Sequence, residues 1–259
     1  MSLFCYDIGS VNARNPHPIY WICFHRWLSY LISISLLLCP PCRKNKMTSS
    51  LSSVARRSIG KLKPENTVFL LCDIQERFRP IIWRGETIVH TAKYMTSVAK
   101  ALDIPVVVTQ QYTKVFGPTV EDVFADQEHF KSCKVFDKKN FSMCTDEVKS
   151  HLSALNKKSV VLFGIEAHVC VQQTCLDLLE DGVDVHLIAD SISSQQPYDR
   201  EIALQRMSQA GAYLTTAQSI AFMLMRSAEH ANFKGMKGSI SLCERKCRCN
   251  CSYLFLWLI

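Results

Sequence analysis

Short, unbroken apolar runs alternate with helix-like segments through the middle of the chain, and this alternation restricts the possible folds most strongly. The strand-like runs are 67–72, 104–109, 134–136, 159–163, 183–189 and 212–215, and the helix-like segments are 86–103, 145–156, 170–182, 198–210 and 217–228. Strands that are apolar on both faces are typical of a parallel sheet covered by helices on both sides. The sequence therefore predicts a single α/β domain over residues 66–236, with a doubly wound, Rossmann-like, mostly parallel sheet and helices on both faces.

Charges and cysteines are concentrated at the two ends of the chain. The sequence has 259 residues, a formal net charge of +7 and 13 cysteines. Residues 1–46 carry a net charge of +4 and four cysteines, and residues 239–259 carry +2 and four more. The segment between them has 22 basic residues, 21 acidic residues and only five cysteines. Such a domain has neither the basic field that nucleic acid binding needs nor a disulfide framework.

The first 46 residues contain a short apolar stretch with two interpretations. Residues 27–39 are apolar except for serines, and these 13 residues are fewer than the roughly 20 that a membrane-spanning helix needs. The length and the preceding Arg26 fit a signal peptide or signal anchor. Alternatively, translation starts at Met47, and residues 1–46 are an unstructured or non-native extension. The sequence therefore gives no firm membrane prediction.

The segments that flank the predicted domain suggest a compartment but no further domain. Residues 47–65 form a Ser/Arg-rich leader, which is typical of a mitochondrial transit peptide or of an ordinary flexible N-terminus. We therefore expect a mitochondrial or cytoplasmic protein, with a signal anchor in the first segment as the alternative. Residues 237–259 form a Cys-rich tail whose cysteine spacing differs from that of structural zinc sites. We expect this tail to be disordered or non-native.

Chemically reactive side chains follow three of the predicted strands. Asp73 ends the first strand, and Cys170 opens the helix after the fourth. Lys138 and Lys139 follow the short third strand. The carboxyl ends of parallel strands share one edge, where a helix N-terminus and an ammonium stabilise a thiolate and a carboxylate can accept its proton. These residues form a candidate nucleophile set, although each alone also fits a structural role as a cap, a solvated charge or a packed thiol.

Three motifs resemble the signatures of a known family. They read Leu71-Cys72-Asp73-Ile74-Gln75-x-x-Phe78, Lys138-x-x-Phe141-Ser142-Met143 and Gly164-Ile165-Glu166-Ala167-His168-Val169-Cys170-Val171. With these motifs in order, residues 62–236 resemble the isochorismatase-like cysteine hydrolase superfamily. Within it, the chain is most similar to the eukaryotic isochorismatase domain-containing proteins, whose second member is assigned to mitochondria.

The resemblance implies a catalytic triad. Cys170 would be the nucleophile, Asp73 its general base, and Lys138 the cation that holds the thiolate and positions Asp73. Lys139 fits less well because the family places its lysine three residues before the aromatic residue, here Phe141.

The resemblance also implies an oxyanion hole next to the nucleophile. It predicts a cis peptide bond between Ile165 and Glu166, although Glu166 is not a proline. The backbone amides of Glu166 or Ala167 and of Cys170 would then stabilise a developing oxyanion.

Two departures from the family pattern narrow the chemistry. Nicotinamidases of the superfamily bind a metal through an Asp-x-His pair after the second strand, and residues 109–113 read TQQYT here. The resemblance therefore implies no catalytic metal, no cofactor and a substrate other than nicotinamide. Enzymes that cleave isochorismate lack the cysteine, so Cys170 argues against that activity.

The leading hypothesis is a metal-independent cysteine hydrolase that cleaves a small amide, ureide or carbamoyl compound through a thioester acyl-enzyme. By resemblance, Phe78, Gln110 and Phe141 would line the substrate pocket, and His168 would contact the substrate or simply be hydrogen-bonded. A catalytically silent binding or scaffold protein with the same fold is the alternative. A nitrilase is disfavoured because the chain lacks the length and repeat of that fold. The expected partners are a small-molecule substrate and, by resemblance, other copies of the chain in a homo-oligomer.

Overall fold

The computed structural model describes residues 58–234. The predictions for the N-terminal extension 1–46, for most of the leader 47–65 and for the Cys-rich tail 237–259 therefore lie outside the described residues. Within residues 58–234, no helix is both long enough and apolar enough to cross a bilayer.

Six strands form one sheet in which all neighbouring pairs are parallel. The strands are β1 (Thr67–Cys72), β2 (Val106–Gln111), β3 (Lys134–Lys138), β4 (Ser159–Ile165), β5 (Asp184–Ser193) and β6 (Tyr213–Thr215). Their order across the sheet is β3-β2-β1-β4-β5-β6, so the strand order reverses between β1 and β4. The carboxyl ends of strands beside such a reversal form the crevice in which doubly wound folds bind ligands.

Helices cover the sheet in two groups, which completes the predicted α/β architecture. The helices are α1 (Gly85–Ala101), α2 (Thr113–Phe116), α3 (Gln127–Ser132), α4 (Asp146–Leu155), α5 (Gln172–Glu180), α6 (Pro197–Ala210) and α7 (Ala217–Met225). Helix α1 packs with α7, and α5 packs with α6. A five-residue π turn, Ala167–Val171, precedes α5, and two 3₁₀ turns span Pro64–Asn66 and Glu121–Val123. The fold class predicted from the apolar runs is therefore confirmed.

The core is built from the apolar runs, and β1 is buried along its entire length. Leu70 of β1 pairs in register with Val107 of β2 on one side and with Leu162 of β4 on the other. A strand enclosed on both edges and both faces excludes water, which is why its sequence, TVFLLC, has no charged residue. Asp73, the first charge after this run, is thereby fixed at the sheet's carboxyl edge.

The strand boundaries differ from the predicted ones mainly at the carboxyl edge. Strand β2 begins at Val106 rather than residue 104, since Pro105 has no amide hydrogen to donate to a neighbouring strand. It continues to Gln111, and β5 continues to Ser193, because polar residues at these ends still pair with neighbouring strands. Helices α2 and α3 were not predicted, since four and six residues are too few for an apolar period to be recognised.

Candidate active site

A buried ion pair joins the ends of β1 and β3. Asp73 follows β1 in a left-handed conformation with φ of 49°, and Lys138 is the last residue of β3. Lys138 Nζ lies 2.6 Å from Asp73 Oδ2, and the two side chains are 0% and 2% exposed. Strand β2 lies between β1 and β3, so the pair spans the end of the intervening strand. Removing either partner would leave the other as an uncompensated buried charge.

Strand β2 supplies the polar groups that hold this pair in place. Thr109 Oγ1 donates to Asp73 Oδ1 at 2.8 Å, and Lys138 Nζ donates to Gln111 Oε1 at 2.6 Å. Gln75 fixes Gln111 in turn: its Oε1 accepts from the Gln111 amide at 2.7 Å, and its Nε2 donates to the Gln111 carbonyl at 3.1 Å. Both carboxylate oxygens of Asp73 therefore have donors, and the position of Lys138 is set by a network rather than by one contact.

Two further acceptors surround the ammonium of Lys138. The backbone carbonyls of Asn140 and Phe141 lie 3.2 and 2.9 Å from Nζ. Burial lowers the pKa of Lys138, but the negative charges that Cys72, Asp73 and Cys170 can carry outweigh burial and raise the pKa above its usual value. With four oxygen acceptors for three ammonium protons, Lys138 is a fully partnered, fixed positive charge.

Cys170 lies in the π turn at the carboxyl end of β4 and is 7% exposed. The helix predicted to open at Cys170 begins two residues later, at Gln172, directly after the π turn. Thr174 Oγ1 donates to the carbonyl oxygen of Cys170 at 2.6 Å and accepts from the amide of Met143 at 2.8 Å. Thr174 thus ties the turn that carries Cys170 to the loop that follows Lys138. Single π turns of this kind occur frequently at functional sites.

A second thiol lies against Cys170. Cys72, the last residue of β1, is completely buried, and its thiol interacts with that of Cys170. Cys72 Sγ also donates to Asp73 Oδ2 at 3.6 Å. Burial raises the pKa of the Cys72 thiol well above its usual value, and the hydrogen bond with Cys170 and the charge of Asp73 add to this effect. Cys72 is therefore a neutral thiol between the predicted nucleophile and the predicted base.

The residues expected to form the oxyanion hole lie on the same turn. The peptide bond between Ile165 and Glu166 is cis. The Glu166 carbonyl accepts from the amides of Val169 and Val171, both at 3.1 Å, and its carboxylate accepts from the amide and side chain of Gln195. These contacts fix the backbone next to Cys170. The assignment of the Glu166, Ala167 and Cys170 amides to an oxyanion remains a prediction.

The residues expected to line the pocket fall into two groups. Phe78 stacks on Phe116 with ring centroids 4.6 Å apart, and the side chain of Phe141 is 53% exposed beside Lys138. Gln110 differs, since its Nε2 donates to Thr119 at 2.8 Å and its Oε1 accepts from Thr113 at 3.1 Å. Its amide therefore supports the loop after β2, and Phe78 and Phe141 are the better candidates for substrate contact.

His168 and Lys139 lie apart from the ion pair. His168 Nδ1 is hydrogen-bonded to Ser194 Oγ at 2.9 Å, and its Nε2 lies 3.9 Å from Asp199 Oδ2. Of the two predicted roles for His168, the structure shows the hydrogen-bonded one. Lys139 is exposed and lies over the ring of Tyr112 at 5.5 Å. The adjacent lysines thus differ completely in environment.

Sequence reasoning missed four residues of the network: Cys72, Thr109, Gln111 and Thr174. One available signal was strand alternation, which places Thr109 and Gln111 on the same face of β2. Within the described part of the chain, no group of three or more His, Cys, Asp or Glu side chains is arranged to hold a metal ion.

Known proteins are similar to this chain in both sequence and fold. Residues 67–219 match the isochorismatase domain. Isochorismatase family protein 1B of Dictyostelium discoideum is 44% identical over 182 residues, which cover 70% of this chain and 88% of that protein. Isochorismatase domain-containing protein 2 of Xenopus laevis is 44% identical over 179 residues, which cover 69% and 85% of the two chains. The structure of MAR1 ribonuclease from Caenorhabditis elegans has 38% sequence identity and a TM-score of 0.65, with coverage of 70% of this chain and 92% of that one. The chain therefore belongs to the isochorismatase domain family, as the three motifs predict.

Proposed function

We propose that this chain is a metal-independent cysteine hydrolase that cleaves a small amide, ureide or carbamoyl compound through a thioester on Cys170. The observation that carries the proposal is the buried Asp73–Lys138 ion pair beside the Cys170 turn. An ion pair in this position is costly to bury, and well-packed apolar residues would stabilise the fold at least as well. Membership of a family of hydrolases supports a catalytic use for these charges.

In the first step, Asp73 accepts the proton of the Cys170 thiol, and the thiolate sulfur attacks the carbonyl carbon of the substrate. The carbonyl π electrons move onto oxygen and form a tetrahedral oxyanion. Backbone amides of the turn around Glu166 and Cys170 would donate to this oxygen. Lys138 stabilises the Asp73 carboxylate and the Cys170 thiolate electrostatically, because its ammonium interacts with both groups.

In the second step, the oxyanion collapses and the carbon–nitrogen bond breaks. Asp73 returns its proton to the leaving nitrogen, so the amine departs neutral and a thioester remains on Cys170. Water then attacks the thioester while Asp73 accepts one of its protons. The acid product leaves as the sulfur departs, and the proton on Asp73 restores the thiol.

The structure supports a small substrate, because the reacting groups are deeply buried. Cys170 is 7% exposed, and the side chains of Asp73 and Lys138 are almost inaccessible. Phe141, whose carbonyl contacts Lys138, is partly exposed and offers an apolar surface to a substrate.

Ribonuclease activity is a second candidate, because the related C. elegans structure is described as a MAR1 ribonuclease. Enzymes that cleave phosphodiesters commonly stabilise the charge on the phosphate with a cation that contacts it. Lys138 is poorly suited to this role, since four oxygen atoms already surround its ammonium. The nearly neutral middle segment also lacks the basic field of a nucleic acid binding surface. We therefore favour the amidase-like reaction and include RNA in the test below.

The decisive experiment is a hydrolysis screen of the full chain against small amides, ureides, carbamoyl compounds and short RNA oligonucleotides. The matched variants are Cys170→Ala and Cys133→Ala. We expect turnover of a small carbon–nitrogen substrate that Cys170→Ala abolishes and Cys133→Ala preserves. RNA cleavage that survives in Cys170→Ala, or turnover independent of Cys170, would contradict the proposal.

Alkylation separates this enzyme from a catalytically silent binding protein even before a substrate is known. Burial raises the pKa of Cys133 and Cys144 to about 11 and that of Cys175 to about 12. At neutral pH at most about one in ten thousand molecules of a thiol with such a pKa is ionised. We expect iodoacetamide to modify Cys170 faster than these three thiols at about pH 6. Equal rates would remove the basis for an activated nucleophile.

A further inference from the structure

Two cysteines from different strands meet at the centre of the site. Cys72 ends β1, and Cys170 follows β4 after a short turn. The two strands are paired in register up to their ends, where Cys72 lies opposite Gly164. A Cβ atom on Gly164 would lie 2.1 Å from the carbonyl oxygen of Cys72, so only glycine permits this close approach of the two backbones. Cys170 lies on the turn that follows β4, and its thiol interacts with that of Cys72.

The mechanism proposed above has no use for the thiol of Cys72. Asp73 accepts the proton of Cys170 without it, and Lys138 supplies the positive charge. Cys72 is nevertheless completely buried and adjacent to both the predicted nucleophile and the predicted base. A nonpolar residue of similar size would fill the same space. The position of the thiol therefore calls for a chemical role.

We propose that Cys72 and Cys170 form a reversible intramolecular disulfide when a hydroperoxide oxidises Cys170. This inference rests on the reactivity of Cys170 assumed in the proposed function, and it does not require turnover of any amide. The contact between the two thiols, the hydrogen bond from Cys72 to Asp73, and the registered strand ends are the observations that carry it.

The chemistry proceeds in two balanced steps. The Cys170 thiolate, whose proton Asp73 has accepted, attacks the terminal oxygen of the peroxide, and the oxygen–oxygen bond breaks. Cys170 becomes a sulfenic acid, and the departing alkoxide or hydroxide takes the proton from Asp73 and leaves as an alcohol or water. Cys72 then attacks the sulfenic sulfur, a sulfur–sulfur bond forms, and hydroxide leaves. Asp73 Oδ2, which accepts the hydrogen bond of Cys72, takes the thiol proton and passes it to the hydroxide. The peroxide is reduced by two electrons, and the two thiols supply them.

The disulfide protects the nucleophile from irreversible damage. A sulfenic acid without a neighbouring thiol reacts with more peroxide to give a sulfinic acid, which ordinary thiols cannot reduce. The disulfide instead returns to two thiols when a dithiol attacks it. The other free cysteines in the described part of the chain are Cys133, Cys144 and Cys175, and the first two donate hydrogen bonds to the backbone carbonyls of His129 and Thr174. Peroxide would therefore inactivate the enzyme reversibly through Cys72.

The test follows oxidation in the full chain by mass spectrometry. Graded hydrogen peroxide is added, free thiols are blocked with iodoacetamide, and the chain is digested with trypsin. Cys170 and Cys175 fall in one tryptic peptide, residues 159–200, so a Cys175→Ala background assigns the cross-link to Cys170. We expect a peptide pair joined through Cys72 and Cys170 that dithiothreitol separates.

The matched variant is Cys72→Ser, with Cys133→Ser as the control. After peroxide and then dithiothreitol, Cys170 should be recovered as a free thiol several-fold more in the wild type and in Cys133→Ser than in Cys72→Ser. If Cys72→Ser does not fold by circular dichroism, the cross-linked peptide of the wild type still decides the question. Equal recovery in all three proteins, or a cross-link from Cys170 to another cysteine, would overturn the proposal.

Failure here is distinguishable from failure of the proposed function. Amide turnover without a cross-link would leave the hydrolase intact and remove the disulfide. A cross-link without turnover of any compound in the screen would leave the disulfide intact and remove the hydrolase.

Discussion

Two places in the sheet, the ends of β1 and β3 and the middle of β5, contain buried polar side chains in different environments. At the ends of β1 and β3, Asp73 and Lys138 are charged, and every polar atom of the pair has a partner. On β5, His186 is 2% exposed, its ring stacks on Tyr213 at 4.8 Å, and its Nε2 is among the buried side-chain atoms of the described region that have no hydrogen-bond partner. Burial lowers the pKa of His186 to about 4, so the ring is neutral at physiological pH.

The difference shows what a buried charge requires. A charge persists in the interior only where opposite charge and hydrogen bonds compensate for lost hydration, and an ionisable group without them becomes neutral. The network around Lys138 draws on three strands and the loop after β3, whereas His186 has a stacked ring and the charge of Asp184. The costly network around Asp73 and Lys138 therefore indicates that these charges serve a function, whereas the neutral, buried His186 indicates ordinary packing.

The largest effect should come from the backbone contact that brings the strand ends together. Gly164→Ala places a methyl group 2.1 Å from the Cys72 carbonyl oxygen and a side chain at φ of 129°. We expect a loss of at least about 4 kcal/mol in the free energy of unfolding. Gly182→Ala is the control near β5, since its φ is 75° but no atom lies within 4 Å of the added carbon. It should cost about 1 kcal/mol. Urea unfolding measures both, and similar losses would mean that the central contact is not special.

The next effect concerns the two adjacent lysines. Lys138→Met removes one partner of the buried ion pair and leaves Asp73 without a countercharge, so we expect a loss of about 3–5 kcal/mol. Lys139→Met should change the free energy of unfolding by less than about 0.5 kcal/mol because Lys139 is exposed. Lys138→Met combined with Asp73→Asn should recover part of the loss. If both single lysine variants unfold at the same urea concentration, the Asp73–Lys138 pair does not contribute to the free energy of unfolding as described.

The smallest effect concerns the stability of the fold in acid and depends on His186. Folding lowers the pKa of His186 from 6.5 to about 4. Between pH 6.5 and about pH 4, His186 therefore binds a proton in the unfolded chain but not in the folded chain. Stability from the neutral ring is complete above pH 6.5 and is lost as the pH falls toward 4, by about 3 kcal/mol in total. His186→Phe should flatten this part of the pH profile of unfolding.

His129→Asn is the comparison for this pH profile. Burial also lowers the pKa of His129, but His129 is only partly buried, so its variant should flatten the profile less. A wild-type profile with the same slope as His186→Phe between pH 6.5 and 4 would show that His186 is not buried in the neutral form.

Sequence reasoning was most successful where burial was continuous. The apolar run of β1 predicted both a buried strand and the position of Asp73 at its end, because a chain cannot bury an unpaired charge inside such a strand. It was less successful at the polar ends of β2 and β5, where hydrogen bonds to neighbouring strands extend the sheet beyond the apolar residues. Gln110 illustrates the limit. The sequence cannot show that its amide binds Thr119 and Thr113, since those contacts depend on how the loop after β2 folds back.

The sequence alone determined the α/β class, the order of the motifs and the three residues proposed for catalysis, because apolar periodicity and local motifs are properties of the chain itself. Only the tertiary structure decided which groups surround them. Lys138 and Asp73 are 65 residues apart, and Cys72 and Cys170 are 98 residues apart. Parallel pairing nevertheless brings the ends of their strands to one edge of the sheet. Contacts across that edge depend on register, on the space left by Gly164 and on hydrogen bonds between strands, none of which is encoded in any one segment.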